Sequence, residues 1–325
     1  MNLNQYNLKD LTKLQKFPSE KNYDRASLIE DVKMKSYIFK SINDLFTLII
    51  ESDDNIPSIN KFSLKGISLE HKPIKIKNSK LRKYLIIKPT HNKFNDLFVL
   101  LTFDILKNIN KTNLQDVILK TINKWKYFTS DKNNELLSID KQIGLIGELI
   151  LLNKIIDDNV HNINSWVADT QSIDFAIKNN LIEVKTTLKD KHSHIINGLD
   201  QLKIINDKNK YILSILVKKS DIKTSDTLNL VDYIEQIENK IAEDPEIQDI
   251  FYSKLKKVGY NEINRAKYTE YNFIIIDKLF YQVNGNMPKI TSDSFTSPLN
   301  SRINKITYNL DLDGLDCLKF EELTF

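Results

Sequence analysis

Residues 172–187 read SIDFAIKNNLIEVKTT, and this stretch decides the fold of the middle of the chain. Apolar or β-branched side chains alternate with the others in both halves of the stretch: Ile173, Phe175 and Ile177, then Ile182, Val184 and Thr186. A period of two residues is typical of β-strands. Asn179 and Asn180 lie between the two halves and can adopt the positive φ angles of a two-residue turn. The sequence therefore predicts a β-hairpin.

The register of the hairpin follows from its turn. With the two asparagines as the turn, Ala176 lies opposite Glu183 and Asp174 lies opposite Lys185. Asp174, Glu183 and Lys185 then share one face of the sheet, and the Cα atoms of the two acids are diagonal neighbours about 7–8 Å apart. Two carboxylates at this separation can bind one hard cation through oxygen. We therefore expect Asp174 and Glu183 to be metal ligands.

This trio of side chains suits a nuclease that uses a divalent metal ion. Phosphodiester hydrolysis needs a cation that neutralises the scissile phosphate and lowers the pKa of the attacking water. Lys185 follows Glu183 by two residues on the same face, where it can orient the nucleophile or stabilise developing negative charge. The alternative is a polar hairpin face with one Asp–Lys cross-strand ion pair, since a chain with 28% charged residues contains such patterns by chance.

A second acid lies upstream, in a segment that is apolar on nearly every side. Residues 141–156 predict a buried helix, and Glu148 is its only acid before Asp157. An unpaired buried carboxylate is unfavourable, so Glu148 is expected to face the metal or to position a water molecule. Gly144 and Gly147 lie on one face of this helix and allow another backbone to approach closely. Alternatively, Glu148 caps a neighbouring element or pairs with a lysine.

Composition and charge limit the class of protein. The chain has 325 residues, a single cysteine (Cys317), no signal-like beginning and no apolar run of the roughly 18 residues that span a bilayer, so we expect a cytoplasmic globular protein without membrane contact. The net charge of +4 is unevenly distributed, because residues 1–130 carry 23 Lys and Arg against 13 Asp and Glu. Such a basic region is typical of a polyanion partner, although a solvated lysine-rich surface gives the same count.

The chain divides into three stretches, 1–130, 131–225 and 226–325. The first is expected to begin with helix, including Leu28–Met34, and to continue with strands, including Leu97–Phe103, before a helix over Asn113–Phe128. The second alternates helices and strands, as α/β domains do. The third opens with an acidic helical stretch, Leu230–Val258, interrupted near Pro245. It ends with short strands around Phe273–Ile276, Phe280–Val283 and Ile306–Leu310. His192 and His194 predict a polar loop, although His194 can touch phosphate if that loop borders the site.

The ordered motifs of the chain resemble the PD-(D/E)XK motif proteins, a bacterial family of the restriction-endonuclease-like nuclease superfamily. They are Gly144–Leu149, the loop at Trp166, Asp174-Phe175, Ile182–Thr187, Asp200-Gln201-Leu202 and Arg302–Tyr308. The resemblance implies an α/β fold (mixed α+β): a restriction-endonuclease-like core with a mixed sheet flanked by helices. Ile173 stands where the signature has proline, a residue without a chemical role there.

The resemblance also implies roles for individual residues. Asp174, Glu183 and Glu148 would bind Mg²⁺, for which Mn²⁺ can substitute, and Lys185 would be the catalytic lysine. Gln201 matches a polar residue on the helix that follows. Members tend to be found with restriction-modification and phage-defence genes, which implies ATPase or methyltransferase subunits as partners.

Two functions follow from the sequence. The first is a Mg²⁺-dependent DNA endonuclease. Its basic region 1–130 would contact DNA, residues 131–225 would form the nuclease core, and residues 226–325 would be an extension packed on that core. A homodimer is one way in which such an enzyme could cut both strands. The second is a non-catalytic DNA-binding or assembly subunit of a defence complex that keeps the nuclease fold. RNA as the substrate stays open, because the chemistry requires only a phosphodiester.

Overall fold

The fold is described from a computed structural model of the chain. It describes residues 1–17, 23, 25–52, 64–77, 79–128, 135–168, 173–199, 201–204, 207–296, 302, 303 and 305–323. The chain forms two compact units, residues 1–134 and residues 135–325, and each unit has its own sheet.

Unit 1 contains a five-stranded antiparallel sheet with two helices after it. Its strands, in the order β1-β2-β3-β5-β4, are β1 (Ser27–Ile29), β2 (Ser36–Lys40), β3 (Phe46–Glu51), β4 (Ile67–Ile74) and β5 (Arg82–Pro89). The short helix α1 (Leu8–Leu11) precedes the sheet, and α2 (Asn95–Asn108) and α3 (Leu114–Phe128) follow it. Helix α2 packs against β3 and β5. A buried cluster rich in aromatic residues, which includes Tyr37, Phe39 and Tyr84, lies on strands β2 and β5 of the sheet.

Two predictions for unit 1 are wrong, and both concern short apolar runs. Leu97–Phe103, predicted as a strand, lies within α2, where Leu97, Leu101 and Ile105 are buried at helical spacing. Leu28–Met34, predicted as helix, begins instead in β1, which pairs with β2. A short apolar run has no period that distinguishes a buried helix from a buried strand, so packing decides. The helix predicted over Asn113–Phe128 is confirmed as α3.

Unit 2 is built on a mixed five-stranded sheet. Its strands, in the order β12-β10-β9-β7-β6, are β6 (Phe175–Ile177), β7 (Asn180–Thr187), β9 (Asn209–Ser220), β10 (Asn272–Gln282) and β12 (Leu318–Lys319). Strands β7 and β9 are parallel, and the other neighbours are antiparallel. A separate pair consists of β8 (Ser193–Asn197) and β11 (Thr307–Asp311). The sheet therefore includes strands from both sides of residue 225.

Helices cover one face of this sheet. Helix α4 (Ile139–Asp158) packs against β7 and against α5 (Leu230–Lys240), which is followed by α6 (Pro245–Lys257). A Cβ atom at Gly147 would overlap the Thr186 hydroxyl group, so the glycine permits the close approach of α4 to β7 that the sequence predicted. The opposite face is covered by an apolar cluster that includes Ile196 of β8, Ile212 of β9 and Leu310 of β11.

The fold class expected from the resemblance is confirmed: the chain is mixed α/β, with a mixed sheet flanked by helices. The helices predicted over 141–156 and 230–258 are confirmed, with the second divided at Pro245, the first residue of α6. The two short strands expected at Phe273–Ile276 and Phe280–Val283 are one strand, β10, with a bulge between Ile275 and Asp277. No helix in the described ranges is both long enough and apolar enough to cross a membrane.

Candidate active site

The predicted hairpin is present, but its register differs by two residues. The turn consists of Lys178 and Asn179, with Lys178 at φ 51°, and Ile177 pairs with Asn180. Asn180 belongs to β7 because it pairs with Asn209 of β9, whose side-chain amide donates to the side-chain oxygen Oδ1 of Asn180 at 3.1 Å. A shift of two residues leaves every side chain on its predicted face.

Asp174 immediately precedes β6, and the hairpin holds it in place through one carboxylate oxygen. Its Oδ2 accepts a hydrogen bond from the backbone N–H of Val184 at 2.7 Å. Phe175, the first residue of β6, pairs with Ile182, so Asp174 lies opposite Glu183 and not opposite Lys185. The predicted Asp174–Lys185 alignment is therefore wrong, and with it the simple cross-strand ion pair.

Glu183 is at the centre of the site. It is only 5% exposed, and its Oε1 lies 2.8 Å from the Lys185 ammonium and accepts a 2.6 Å hydrogen bond from the Gln201 amide. Its second oxygen, Oε2, is buried and has no hydrogen-bond partner in the described part of the chain. A buried carboxylate oxygen without a donor is unfavourable, so this atom is suited to bind a cation.

Gln201 reaches Glu183 from a turn and not from a helix. Residues 201–204 are turn or coil, and β8 is the regular element described between β7 and β9, so the helix expected from the resemblance is wrong here. The backbone N–H of Asn197, the last residue of β8, donates to Gln201 Oε1 at 2.8 Å, which turns the amide nitrogen toward Glu183. Asp200 of the same motif lies outside the described residues.

Glu148 lies on α4 with its carboxylate held by a tryptophan. The indole nitrogen of Trp166, a fully buried residue, donates to Glu148 Oε2 at 2.6 Å. The backbone of Trp166 bridges to Phe175, the residue that follows Asp174. The sequence identified the loop at Trp166 only as part of the resemblance and did not assign it this contact. An indole near the hairpin was the available signal, since a buried Trp N–H needs an acceptor.

The three carboxylates share one arrangement. In each of them a protein donor engages one oxygen, namely Oδ2 of Asp174, Oε2 of Glu148 and Oε1 of Glu183. Within the described ranges, the second oxygen of each has no hydrogen-bond donor. Such a set has its orientation fixed while three oxygens remain available as ligands.

Electrostatics show that the three acids are close enough to interact. Burial, and then the negative charges of Glu183 and Glu148, raise the pKa of Asp174 to about 8. Burial raises the pKa of Glu148 to about 7, with the Trp166 hydrogen bond acting against it and the charge of Glu183 adding to it. Burial also raises the pKa of Glu183, against the lowering effects of Lys185, Lys210 and Gln201. The site therefore disfavours negative charge that no cation compensates.

This donor set fits a hard divalent metal ion. All three available atoms are carboxylate oxygens, the ligands that Mg²⁺ prefers, and Mg²⁺ usually takes one or two carboxylates and completes its shell with water and substrate phosphate. No group of three or more His, Cys, Asp or Glu side chains already encloses an ion position among the residues described. Three like charges repel one another, so a closed ligand set is not expected without the cation.

Two further features were missed or misassigned from the sequence. Lys210 of β9 is buried, and its charge acts on Glu183 although it lies two residues before the position paired with that acid. His192 and His194 are buried rather than exposed in a polar loop, and both contact Ser214 of β9. These contacts join segments distant in sequence, and the local pattern therefore contains no signal for them.

Comparison with curated proteins finds no match, and comparison with solved structures finds none either. A family model does match: the one described as "Putative PD-(D/E)XK family member (DUF4420)", over residues 9–313. That range covers most of both units and every candidate site residue. The chain belongs to this PD-(D/E)XK family.

Proposed function

We propose that this protein is a Mg²⁺-dependent endonuclease that hydrolyses phosphodiester bonds in DNA. One observation carries the proposal: in the described part of the chain, Asp174, Glu183 and Glu148 each have one oxygen fixed by a protein donor and one oxygen without a donor, and Glu183 lies 2.8 Å from the Lys185 ammonium. A purely structural polar cluster would pair the second oxygen of Glu183, because an unpaired buried carboxylate oxygen destabilises the fold. Membership of the family supports the same reaction class.

The proposed roles follow from the contacts. Asp174, Glu183 and Glu148 would bind Mg²⁺, or Mn²⁺ in its place, and the ion would neutralise the phosphate and lower the pKa of a bound water. Gln201 and Trp166 orient two of these carboxylates through hydrogen bonds of 2.6 Å. The Lys185 ammonium, 2.8 Å from Glu183, is placed to donate to a phosphate oxygen or to the attacking water.

The surface proposed to contact DNA is the end of the β4–β5 hairpin in unit 1. Lys75, Lys77 and Lys80 are exposed there, beside the exposed side chain of Leu81. Within residues 61–93 the sequence has ten basic residues and one acid, Glu70. Exposed lysines gain affinity for nucleic acid by releasing counterions from the phosphates.

The biological setting is proposed from the resemblance. It is a restriction or phage-defence system in the cytoplasm, with ATPase or methyltransferase subunits as partners. Double-strand cutting would come from a homodimer or from two successive nicks. Light scattering with and without DNA measures the oligomeric state directly, and a monomeric mass in both conditions contradicts the homodimer.

Plasmid nicking tests the proposal. Wild-type protein should convert supercoiled plasmid to nicked or linear DNA with Mg²⁺ or Mn²⁺ and not with EDTA, while Glu183→Ala and Lys185→Ala should not. Glu243→Gln, which removes an exposed acid of the same unit, is the matched control and should cut like the wild type. Wild-type protein that binds DNA without cutting it would instead support the assembly subunit, and cutting of RNA alone would change the substrate.

A further inference from the structure

A chain of buried polar side chains begins next to the candidate site. Ser214 of β9 is the residue paired with Lys185 of β7, so both side chains lie on the same face of the sheet. Ser214 is fully buried, and it lies between His192 and His194, each 4% exposed. None of the proposed roles at the site accounts for this second polar cluster.

The contacts lead toward the surface, with one gap at the last link. Ser214 Oγ lies 2.6 Å from His194 Nε2 and 2.6 Å from His192 Nδ1. The other nitrogen of His192, Nε2, lies 3.5 Å from Asp277 Oδ2 and makes no hydrogen bond to any described residue. Asp277 follows the bulge of β10, and its side chain is 42% exposed. The path therefore runs from the neighbourhood of Lys185 to solvent.

The hydrogen atoms of this chain can be assigned by requiring that each buried group be satisfied. An ionised carboxylate only accepts hydrogen bonds, so the hydrogen of His192 is on Nε2, toward Asp277. His192 Nδ1 then accepts from the Ser214 hydroxyl, and Ser214 Oγ accepts from His194 Nε2–H. Every donor consequently points away from the site and toward Asp277, and His194 Nδ1 remains as an acceptor.

His194 is close to the charged groups of the site and is electrically neutral. Burial, followed by the positive charges of Lys185 and Lys189, lowers the pKa of His194 to about 3. A lasting imidazolium is therefore unfavourable at this position. A proton that arrives at Nδ1 must either return or move on along the chain.

We propose that the chain from His194 through Ser214 and His192 to Asp277 is the proton exit path of the nuclease reaction. This inference rests on the proposed function. As the water oxygen bonds to phosphorus and the bond to the leaving oxygen breaks, the water proton moves to His194 Nδ1. The Nε2 proton passes to Ser214, the Ser214 proton passes to His192 Nδ1, and the His192 Nε2 proton passes to Asp277 and then to solvent.

The proton balance of this step is closed. One proton enters at His194 and one leaves at Asp277 for each bond cut, and the leaving oxygen takes up one proton from solvent water, so the cut neither consumes nor releases a net proton. The last step spans 3.5 Å, so it requires the pair to approach by a few tenths of an ångström or a bridging water. After the transfer both rings carry the hydrogen on Nδ1, and the starting tautomers return when each ring exchanges its own proton with water between turnovers, so no proton runs back along the chain.

The first test is independent of cleavage. Long-range ¹H–¹⁵N spectra of the metal-free protein should show both His192 and His194 as neutral rings with the hydrogen on Nε2. In Ser214→Ala both ring signals should change, while Ser193→Ala, which removes a buried hydroxyl group outside the chain, should leave them unaltered. An Nδ1–H tautomer or an imidazolium at either ring at pH 7 would overturn the assigned direction and the proposal with it.

The second test is the single-turnover cleavage rate. Ser214→Ala should slow cleavage about 100-fold, the usual contribution of a positioned acid or base, with DNA binding in Ca²⁺ unchanged. Ser214→Thr should restore the rate because it restores the hydroxyl. His194→Gln keeps a donor for Ser214 but removes the Nδ1 acceptor, so it should fold normally and cut slowly. Ser193→Ala should cut like the wild type.

The isotope dependence separates a relay from a structural role. In mixtures of H₂O and D₂O the wild-type rate should follow a curve, because several protons move together, whereas the residual rate of Ser214→Ala should follow a straight line. A folded Ser214→Ala that cuts at the wild-type rate overturns the proton path and leaves the nuclease proposal standing. Wild-type protein that does not cut with Mg²⁺ removes both proposals.

Discussion

The same three-residue pattern, Glu-x-Lys along one strand, occurs in both units and has opposite surroundings. In unit 1 Glu70 pairs with Lys72 on β4, where the side chains are 35% and 46% exposed. In unit 2 Glu183 pairs with Lys185 on β7, where they are 6% and 16% exposed. Hydrogen bonding to Lys72 lowers the pKa of Glu70, whereas burial raises that of Glu183. Burial beside other acids, rather than the pattern itself, makes the second pair a candidate site.

The largest expected effect is the difference in cleavage rate between a variant of the buried pair and a variant of the exposed pair. Glu183→Gln keeps the shape of the side chain and removes its charge, so the rate with Mg²⁺ should fall by about 10²–10³ or more. Glu70→Gln removes the same charge from an exposed pair and should change the rate by less than twofold. Initial rates of plasmid nicking measure both. Equal losses in the two variants would contradict a special role for the buried pair.

The second effect concerns stability without metal. The pKa of Asp174 is raised to about 8 and that of Glu148 to about 7, so between about pH 4 and pH 8 the folded state binds more protons than the unfolded state. Metal-free protein should therefore lose stability as the pH rises through this range, by several degrees in Tm, and Mg²⁺ at pH 8 should restore it.

Asp174→Asn sharpens this test. Without that buried charge, the metal-free variant should be more stable than the wild type at pH 8 and nearly equal to it at pH 4. Glu70→Gln, in the exposed pair, keeps both buried acids and should therefore lose stability with rising pH as the wild type does. Melting curves in EDTA at both pH values provide the measurement. A wild-type Tm that rises from pH 5 to pH 8, together with an Asp174→Asn variant that is no more stable than the wild type at pH 8, would contradict the raised pKa of Asp174.

The third effect tests how Glu148 is held. Trp166→Phe keeps an aromatic ring against Phe251 and removes the N–H that Glu148 accepts. The Mn²⁺ concentration at half-maximal binding should rise by about tenfold, as expected for loss of a group that orients a metal ligand. Titration with Mn²⁺ followed by electron paramagnetic resonance measures this directly. Unchanged affinity in a folded variant would leave Glu148 outside the metal site.

The smallest effect per residue belongs to the exposed lysines. Replacing Lys75, Lys77 and Lys80 together with alanine should weaken DNA binding and reduce the slope of log K against log salt by about 0.9 for each phosphate that a lysine no longer neutralises. The triple variant of Lys33, Lys107 and Lys111, all exposed in the same unit, is the matched control. Fluorescence anisotropy in Ca²⁺ at several salt concentrations gives the slopes, and equal slopes for the two variants would exclude the hairpin as a specific DNA-binding surface.

The sequence predicted the parts of the site that depend on local periodicity. The alternation in 172–187 placed Asp174, Glu183 and Lys185 on one face, and the apolar helix around Glu148 indicated a buried acid. The alternation did not predict the turn at Lys178 and Asn179, because Asn180 belongs to β7 through its pairing with Asn209 of β9. Local periodicity also fails where packing decides, as it does for the Leu97–Phe103 segment of α2.

The remaining parts depend on contacts between distant segments. The Trp166 contact with Glu148 and the Asp277 contact with His192 join residues 18 and 85 positions apart, and no local pattern encodes them. The turn at Gln201 was misassigned as helix because the resemblance supplied the expectation and the residues themselves have no helical period. These contacts therefore follow from how the strands of the sheet pair, and the separation of the residues along the chain does not predict them.

The pairing of β8 with β11 has a consequence for synthesis of the protein. Strand β8 ends at Asn197, whose N–H positions Gln201, yet its partner β11 is Thr307–Asp311, more than one hundred residues downstream. A chain still emerging from the ribosome can complete α4 and the β6–β7 hairpin long before it contains β11. The β8–β11 pair, which positions Gln201 against Glu183, is thus completed late. A nascent or truncated chain would therefore contain the acids of the site before β8 has its partner strand.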